Sequence, residues 1–261
     1  MPPPHPVALI TAGSAGLGAA AARLFCSSGY RVIINYSNNE ARATALVQEL
    51  SGLSPLSQEP QQTGAIKNPN VQAIRADLTK RDEIIRLVET ATEMMGRLDV
   101  VFSNGGWTMI RNFNDLDDNV NEDDWDRCFN MNVKSHLWLM HAARKWLEES
   151  EGAFITTASL AGVRPSGSSL AYSVTKAAQI HLVKGLASIA GPKIRVNSVS
   201  PGLLLTDWGK QFSQERLDAA LAKTKLKKFA TVEDVAEQVL CFARSKTVTG
   251  ANAVIDAGWS L

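Results

Sequence analysis

Seven short apolar runs punctuate the chain: VALIT at 7–11, RVIINY at 31–36, VQAIRAD at 71–77, LDVVFSN at 98–104, GAFITTAS at 152–159, IRVNSVS at 194–200 and ANAVID at 251–256. Between them the apolar positions take the wider spacing of amphipathic helices. Strands that alternate with helices predict an α/β protein with a doubly wound, seven-stranded parallel sheet. The runs are continuously apolar instead of alternating, as strands buried on both faces must be. That pattern disfavours an all-β or an all-helical fold, and residues 1–261 are expected to form one domain.

Two stretches break the rhythm. Residues 51–70, SGLSPLSQEPQQTGAIKNPN, mix Ser, Pro, Gln and Gly without a period and predict an exposed inserted loop. Residues 203–230 mix Trp208, Phe212 and Leu217 with charged residues, the composition of an amphipathic lid over a cleft.

The turn after the first strand reads TAGSAGLG, residues 11–18, and runs into the helical AAAARLF. A helix that starts there offers unpaired backbone N–H groups and the positive end of its dipole. Gly16 and Gly18 lack the Cβ that would keep a pyrophosphate or a neighbouring backbone away. Dinucleotide binding on a Rossmann-type fold is the reading. At the end of the second strand, INYSNNEA, the place where a carboxylate would bind a ribose 2′-hydroxyl is taken by Tyr36. Ser37, Asn38 and Asn39 can instead donate to phosphate oxygens, which favours NADP(H) over NAD(H). Arg42 lies one helical turn further on.

In AYSVTKAA, residues 171–178, Tyr172 and Lys176 stand four apart and therefore on one helical face. A phenol titrates near pH 10. An ammonium about 4 Å away favours the phenolate by roughly 4 kcal/mol at an effective dielectric of 20, or about three pKa units. Lys176 is therefore expected to tune Tyr172 towards neutrality. Ser159, thirteen residues before the tyrosine, ends the fifth strand at the carboxyl edge where open α/β sheets bind ligands.

Together these segments resemble the classical short-chain dehydrogenases/reductases, and in the NY segment the NADPH-dependent ketoreductases among them. TAGSAGLG is similar to that family's TGxxxGxG, with Thr11, Gly16 and Gly18 in register, Ala12 in place of the first glycine, and Gly13 one position later to supply flexibility. The resemblance continues through Asp77 and Leu78 after the third strand, SNGG at 103–106 for NNAG (Ser103 and Gly105 being substitutions), Asn132, the Ser159–Tyr172–Lys176 spacing, and PGLLLT at 201–206.

It implies a catalytic tetrad of Asn132, Ser159, Tyr172 and Lys176. Tyr172 would exchange the proton, Ser159 would bind the carbonyl oxygen, Lys176 would hold the ribose, and Asn132 would fix a relay water. It implies cofactor contacts from Thr11, Gly13, Ser14, Gly16, Leu17, Gly18, Tyr36, Ser37, Asn38, Asp77, Leu78, Asn104, Gly105, Pro201, Leu204 and Thr206, besides Tyr172 and Lys176. The implied reaction is hydride transfer between NADP(H) and a ketone or secondary alcohol. Trp107, Met109, Leu203, Trp208 and Phe212 fall in the segments placed around the substrate, so a bulky cyclic or aromatic carbonyl is expected. Arg164 is read as a surface or subunit-contact residue. The resemblance also implies a homodimer or homotetramer.

Composition adds limits. The net charge of +1 over 261 residues argues against a nucleic-acid partner, and KTKLKK at 223–228 reads as a solvated face. Cys26, Cys128 and Cys241 are widely spaced and form neither a disulfide framework nor a zinc motif, and His136 and His141 are five apart, so no metal is expected. No stretch reads as a membrane span or as a signal peptide, which predicts a cytoplasmic protein. A non-catalytic NADP(H) sensor or scaffold on the same fold is the alternative function, opposed by the intact tetrad.

Overall fold

A computed structural model describes residues 5–58, 70–207 and 209–261. Its seven strands are β1 (Val7–Ile10), β2 (Arg31–Tyr36), β3 (Val71–Arg75), β4 (Val100–Ser103), β5 (Ala153–Thr157), β6 (Arg195–Pro201) and β7 (Asn252–Ile255). They form a single parallel sheet in the order β3-β2-β1-β4-β5-β6-β7. Each predicted apolar run holds one strand.

Alternation along each strand sends side chains to two cores. In β1, Ala8 and Ile10 join α1 (Gly16–Ser27), α2 (Glu40–Leu53) and α9 (Val232–Arg244) on one face. Val7 and Leu9 join α3 (Arg81–Met95), α5 (Ser135–Ser150) and α7 (Leu170–Ala190) on the other. All four β1 side chains are buried, so the run had to be apolar throughout. α4 (Glu122–Phe129) reaches α5 through a π-helical turn, Asn130–Lys134. The short α6 (Leu160–Val163) follows β5, and α8 (Gln214–Lys223) follows β6.

The chain winds outward from β1 in one direction and returns to β4 for the other, so β1 and β4 are neighbours whose following segments diverge. A crevice opens at their carboxyl ends, as open α/β sheets require. α8 and a short 3₁₀ turn, Gly209–Gln211, lie in the expected lid segment. The expected loop at 51–70 begins later than predicted. Residues 51–53 complete α2 and Pro55–Gln58 form a 3₁₀ turn, because Leu50 anchors the last turns of α2 in the core. Residues 59–69 lie outside the described part.

The turn after β1 also differs from expectation. Ala12, not Gly13, takes the left-handed conformation, at φ 47°. Its amide donates to Asn35 Oδ1 at 3.2 Å, and the Gly13 amide donates to the Asn35 carbonyl at 2.8 Å. Gly13 is needed for space: a Cβ there would lie 2.8 Å from both the Ile10 carbonyl oxygen and the Ile34 Cβ. A left-handed alanine costs about 1–2 kcal/mol, partly offset by its smaller chain entropy. Ala12→Gly is therefore expected to raise stability by up to about 1 kcal/mol in urea denaturation; an unchanged or lower midpoint would mean that the turn carries no such strain.

Candidate active site

The site assembles where three elements end together. Ser169 caps α7 by accepting from the Tyr172 amide at 3.2 Å, which places Tyr172 in the first turn and Lys176 one turn further along. Ser159 caps α6, its Oγ accepting from the Ala161 amide at 3.1 Å. Gly162 lets α6 lie against the α7 backbone, since a Cβ there would sit 2.5 Å from the Lys176 carbonyl carbon. Ser173 Oγ donates to the Ala161 carbonyl at 2.6 Å and closes the seam. The seam sets the Ser159 and Tyr172 side chains on the same cleft, close enough for the serine hydroxyl to act on the phenol.

Lys176 Nζ donates to the Thr157 carbonyl at 2.7 Å and to Gln179 Oε1 at 2.9 Å, and lies 5.6 Å from the centre of the Tyr172 ring. Its ammonium therefore does not bond the phenol directly. Burial pushes Tyr172 up from its ordinary value, with the Ser159 hydroxyl opposing, and burial pulls Lys176 down to about 7. The expected lowering of the tyrosine by the lysine is corrected: the shift is upward and its largest cause is desolvation. Cys128 is raised to about 11, first by burial, so it stays a thiol and brings no charge to the lysine.

Asn132 is fully buried on the π-helical turn. It accepts from the Trp107 amide at 2.8 Å and donates to the Trp107 carbonyl at 2.9 Å and to Thr175 Oγ1 at 3.0 Å. It thus fastens the loop after β4 to α7. A Cβ at Gly106 would lie 3.5 Å from both Asn132 Oδ1 and Lys176 Nζ, so these two polar atoms border one small space.

A cleft of about 690 Å³ runs along the sheet edge. Gly16, Leu17, Asn104, Ser159, Tyr172, Lys176, Pro201, Leu204 and Thr206 all border it, the Gly16 position facing Thr206. Trp107, Leu203 and Phe212 line it as expected, with Phe113 and Trp259 added. Met109 is exposed and outside the lining, a correction that follows from its place on the outer turn of the loop after β4. Trp208 lies outside the described residues. Arg164 donates to the Trp259 carbonyl at 3.0 Å and ties down the C-terminal segment.

The glycine turn suits a dinucleotide. No side chain caps the α1 N-terminus, which leaves its first N–H groups for an anion. A Cβ on Gly18 would overlap the Ala12 carbonyl, and Gly16, at φ 50°, faces the Thr206 methyl. Ser14 is half-buried in the same turn. Thr11 is fully buried, and its Oγ1 accepts from the Asn104 amide at 2.9 Å and the Gly105 amide at 3.3 Å. It shapes the β4 turn from within. Gly105 leaves room for the buried Leu78 side chain. Asp77 Oδ1 accepts from the Thr79 amide and hydroxyl, with Oδ2 outside those bonds.

Tyr36 is half-buried against the core, while Ser37 and Asn38 are exposed beyond β2. Asn39 spends its carbonyl oxygen on the Arg42 amide as the cap of α2. Arg42 itself reaches the cleft wall, 3.3 Å from Asp207 across the mouth. Sequence spacing alone did not assign it, because the cap turns α2 inward at its first turn. Asn35 was also missed. It is buried, and its Nδ2 donates to the carbonyls of Tyr36, Ile74 and Ala76, so it welds β2 and β3 to the glycine turn. An asparagine inside an apolar strand was the available signal, since such a group must find partners.

Comparison with known proteins agrees with this fold. A family model described as enoyl-(acyl carrier protein) reductase matches residues 11–260. A Streptomyces violaceoruber protein named as ketoacyl reductase 2 of the granaticin polyketide synthase is 33% identical over 98% of this chain and 96% of its own. Secoisolariciresinol dehydrogenase of Forsythia intermedia is 35% identical over 98% of this chain and 89% of its own. Among solved structures, a short-chain dehydrogenase of Burkholderia cenocepacia in complex with NADP superposes with a TM-score of 0.83 at 29% identity, covering 97% of each chain. A 7α-hydroxysteroid dehydrogenase complexed with NADH and 7-oxo glycochenodeoxycholic acid gives 0.84 at 26% identity, covering 97% of this chain and 93% of its own.

Burial holds His136 on α5 neutral, its pKa pulled down to about 3 from 6.5. Between those values the unfolded chain binds a proton that the folded chain refuses, so stability is expected to fall as pH drops from about 6.5 towards 3. One such proton corresponds to about 1.4 kcal/mol per pH unit. Urea denaturation across that range should lose this component of slope in His136→Phe, and an identical slope would place the proton uptake elsewhere.

Proposed function

The chain belongs to the short-chain dehydrogenase/reductase family of carbonyl and alcohol oxidoreductases, and on that premise we propose that it interconverts a bulky cyclic or aromatic ketone and its secondary alcohol with NADP(H). The single observation that carries this reading is that Ser159, Tyr172 and Lys176 border one cleft, with the lysine buried and held by the Thr157 carbonyl. When bound, the nicotinamide supplies or accepts a hydride at the substrate carbon.

The chain's own groups handle the oxygen. Ser159 holds the carbonyl oxygen by a hydrogen bond as negative charge develops. Tyr172, kept protonated by its surroundings, donates the proton that converts this oxygen to a hydroxyl. A raised phenol pKa suits reduction near neutral pH, whereas alcohol oxidation needs the phenolate and should gain as pH rises. Lys176 and Asn132, facing each other across the Gly106 position, keep the polar side of the tyrosine ordered.

Preference for NADP(H) is supported by Tyr36 in place of a carboxylate, by the exposed Ser37 and Asn38, and by the Arg42 guanidinium at the same end of the cleft. A guanidinium is the strongest partner available to a 2′-phosphate. The Burkholderia cenocepacia relative binds NADP and the hydroxysteroid dehydrogenase binds NADH, so the choice rests on these residues. Trp107, Phe113, Phe212 and Trp259 make a wall suited to a fused or aromatic ring, and the 7-oxo glycochenodeoxycholic acid bound to the hydroxysteroid dehydrogenase is a compound of that bulk. Exposed Leu137 on α5 with Val174 and Ile189 on α7 support a homodimer or homotetramer joined through these helices.

Tyr172→Phe keeps the ring and removes the proton donor. Single-turnover carbonyl reduction, followed by NADPH absorbance, should slow by roughly 10²- to 10⁴-fold while NADPH affinity barely changes. Lys176→Ala should impair both. Unaltered turnover in the Phe variant would take Tyr172 out of the reaction.

NADPH should bind at least about tenfold more tightly than NADH, a difference of about 1.4 kcal/mol. Arg42→Ala should erase most of that difference by weakening NADPH alone. Calorimetric titration of both cofactors decides this, and equal affinities in the parent protein would refute the assignment of the 36–42 segment.

A further inference from the structure

Behind Lys176 lies a buried row of polar side chains that the reaction described above does not use. Gln179 Oε1 accepts from Lys176 Nζ at 2.9 Å. Gln179 Nε2 lies 3.0 Å from His136 Nε2 and also donates to the Thr157 carbonyl at 3.2 Å. His136 Nδ1 lies 2.6 Å from Ser103 Oγ. None of the four side chains is more than 3% exposed. The row crosses from α7 to α5 and ends on β4, so it joins the lysine to the centre of the sheet.

Its hydrogen-bond directions are determined from one end. An ammonium can only donate, so the oxygen of the Gln179 amide must face Lys176 and its NH₂ group must face the histidine. His136 Nε2 is then the acceptor, and the neutral imidazole carries its proton on Nδ1, donating to Ser103 Oγ. Reversing the amide would set two donors against each other at the lysine. This also accounts for Ser103, one of the departures from the family's NNAG segment: its hydroxyl supplies the oxygen on which the imidazole comes to rest.

We propose that Gln179, oriented by His136 and Ser103, is the positioning residue for Lys176, fixing where its ammonium sits beneath Tyr172 and how firmly it keeps its third proton. The assignment rests on the functional reading only in calling Lys176 part of the working site. Among the described residues, Lys176 has two protein acceptors for its protons, the Thr157 carbonyl and the Gln179 amide oxygen. The Thr157 carbonyl belongs to the strand and cannot move independently. Gln179 is therefore the adjustable partner. The titratable groups facing the lysine are Tyr172 on its own helix, Cys128 on α4 and His136 on α5. The last two stay neutral around pH 7 because burial raises the thiol and lowers the imidazole. Among the described residues no carboxylate acts on Lys176, so the amide oxygen is the feature whose change should be felt.

The test uses two variants of nearly equal size and opposite effect. Gln179→Leu removes the acceptor, and Gln179→Glu keeps the shape and adds negative charge. NMR titration of protein carrying ¹³C-labelled lysine follows the Lys176 ε-carbon directly, with its signal identified by loss in Lys176→Met. The Leu variant should titrate about one unit lower than the parent and the Glu variant about one unit higher. The pH dependence of turnover should move in the same two directions, with KM for the carbonyl little altered.

Displacements of the same sign, or none, would overturn the assignment, because a residue that only fills space cannot move a titration both ways. Should the Leu variant not fold, the isosteric Glu variant decides alone, and an unshifted Lys176 signal there is equally fatal. If instead the lysine signals move as expected while Tyr172→Phe retains full turnover, the positioning role stands and the proposed reaction fails.

Discussion

A lysine nitrogen removed from water must recover its lost hydration from the protein, and the centre of this molecule is arranged around that requirement. Lys176 is 2% exposed. Burial lowers its pKa to about 7, so it holds its charge only to the extent that fixed acceptors favour the ammonium. One acceptor is the carbonyl of Thr157, at the end of a strand paired on both sides. The other is Gln179, whose amide nitrogen also donates to the Thr157 carbonyl and leads through His136 to β4. The lysine is thereby tied to two adjacent strands, and the helix bearing both it and Tyr172 is held at the sheet edge.

Close backbone approach is the second condition. Gly162 allows α6 to touch α7 at Lys176, Gly18 allows α1 to touch the turn after β1, and both contacts would be filled by a methyl group. The first sets Ser159 against Tyr172, and the second brings the α1 N-terminus to the cleft. The two ends of the site are linked by Thr11 and Asn104. Thr11 Oγ1 receives the Asn104 amide, while Asn104 Oδ1 receives Thr157 Oγ1 at 2.9 Å. A displacement at the glycine turn would therefore be transmitted to the residue that holds the lysine.

The segment 203–230, expected from the sequence to act as a lid, joins this framework through both backbone and side-chain bonds, the amides of Lys225 and Leu226 donating to the Ala257 carbonyl at 3.0 and 3.1 Å. Its ties to the body include the Arg42–Asp207 pair, exposed on both sides, and the bond from Arg216 to the Gly167 carbonyl at 2.9 Å. Exposed ion pairs contribute little, about 0–1 kcal/mol.

All seven strands, their parallel order and the carboxyl-edge location of the site were legible in the chain, because two-sided burial demands uninterrupted apolar runs and the helical intervals between them leave few topologies. Tyr172, Lys176 and Ser159 were equally legible, since a four-residue helical spacing and a strand end are local properties. What only the tertiary structure decided is everything that depends on groups distant in sequence. Ala12 takes the left-handed turn because Asn35 holds its amide. Arg42 reaches the cleft because Asn39 caps and aims α2. Tyr172 is shifted upward chiefly by burial, which no spacing reveals. His136, Gln179 and Ser103 carry no local mark of their association, since they come from one strand and two helices and meet only when both helices pack on the same face of the sheet. Periodicity records which side of an element faces inward, whereas the identity of the group met there depends on chain closure over tens of residues.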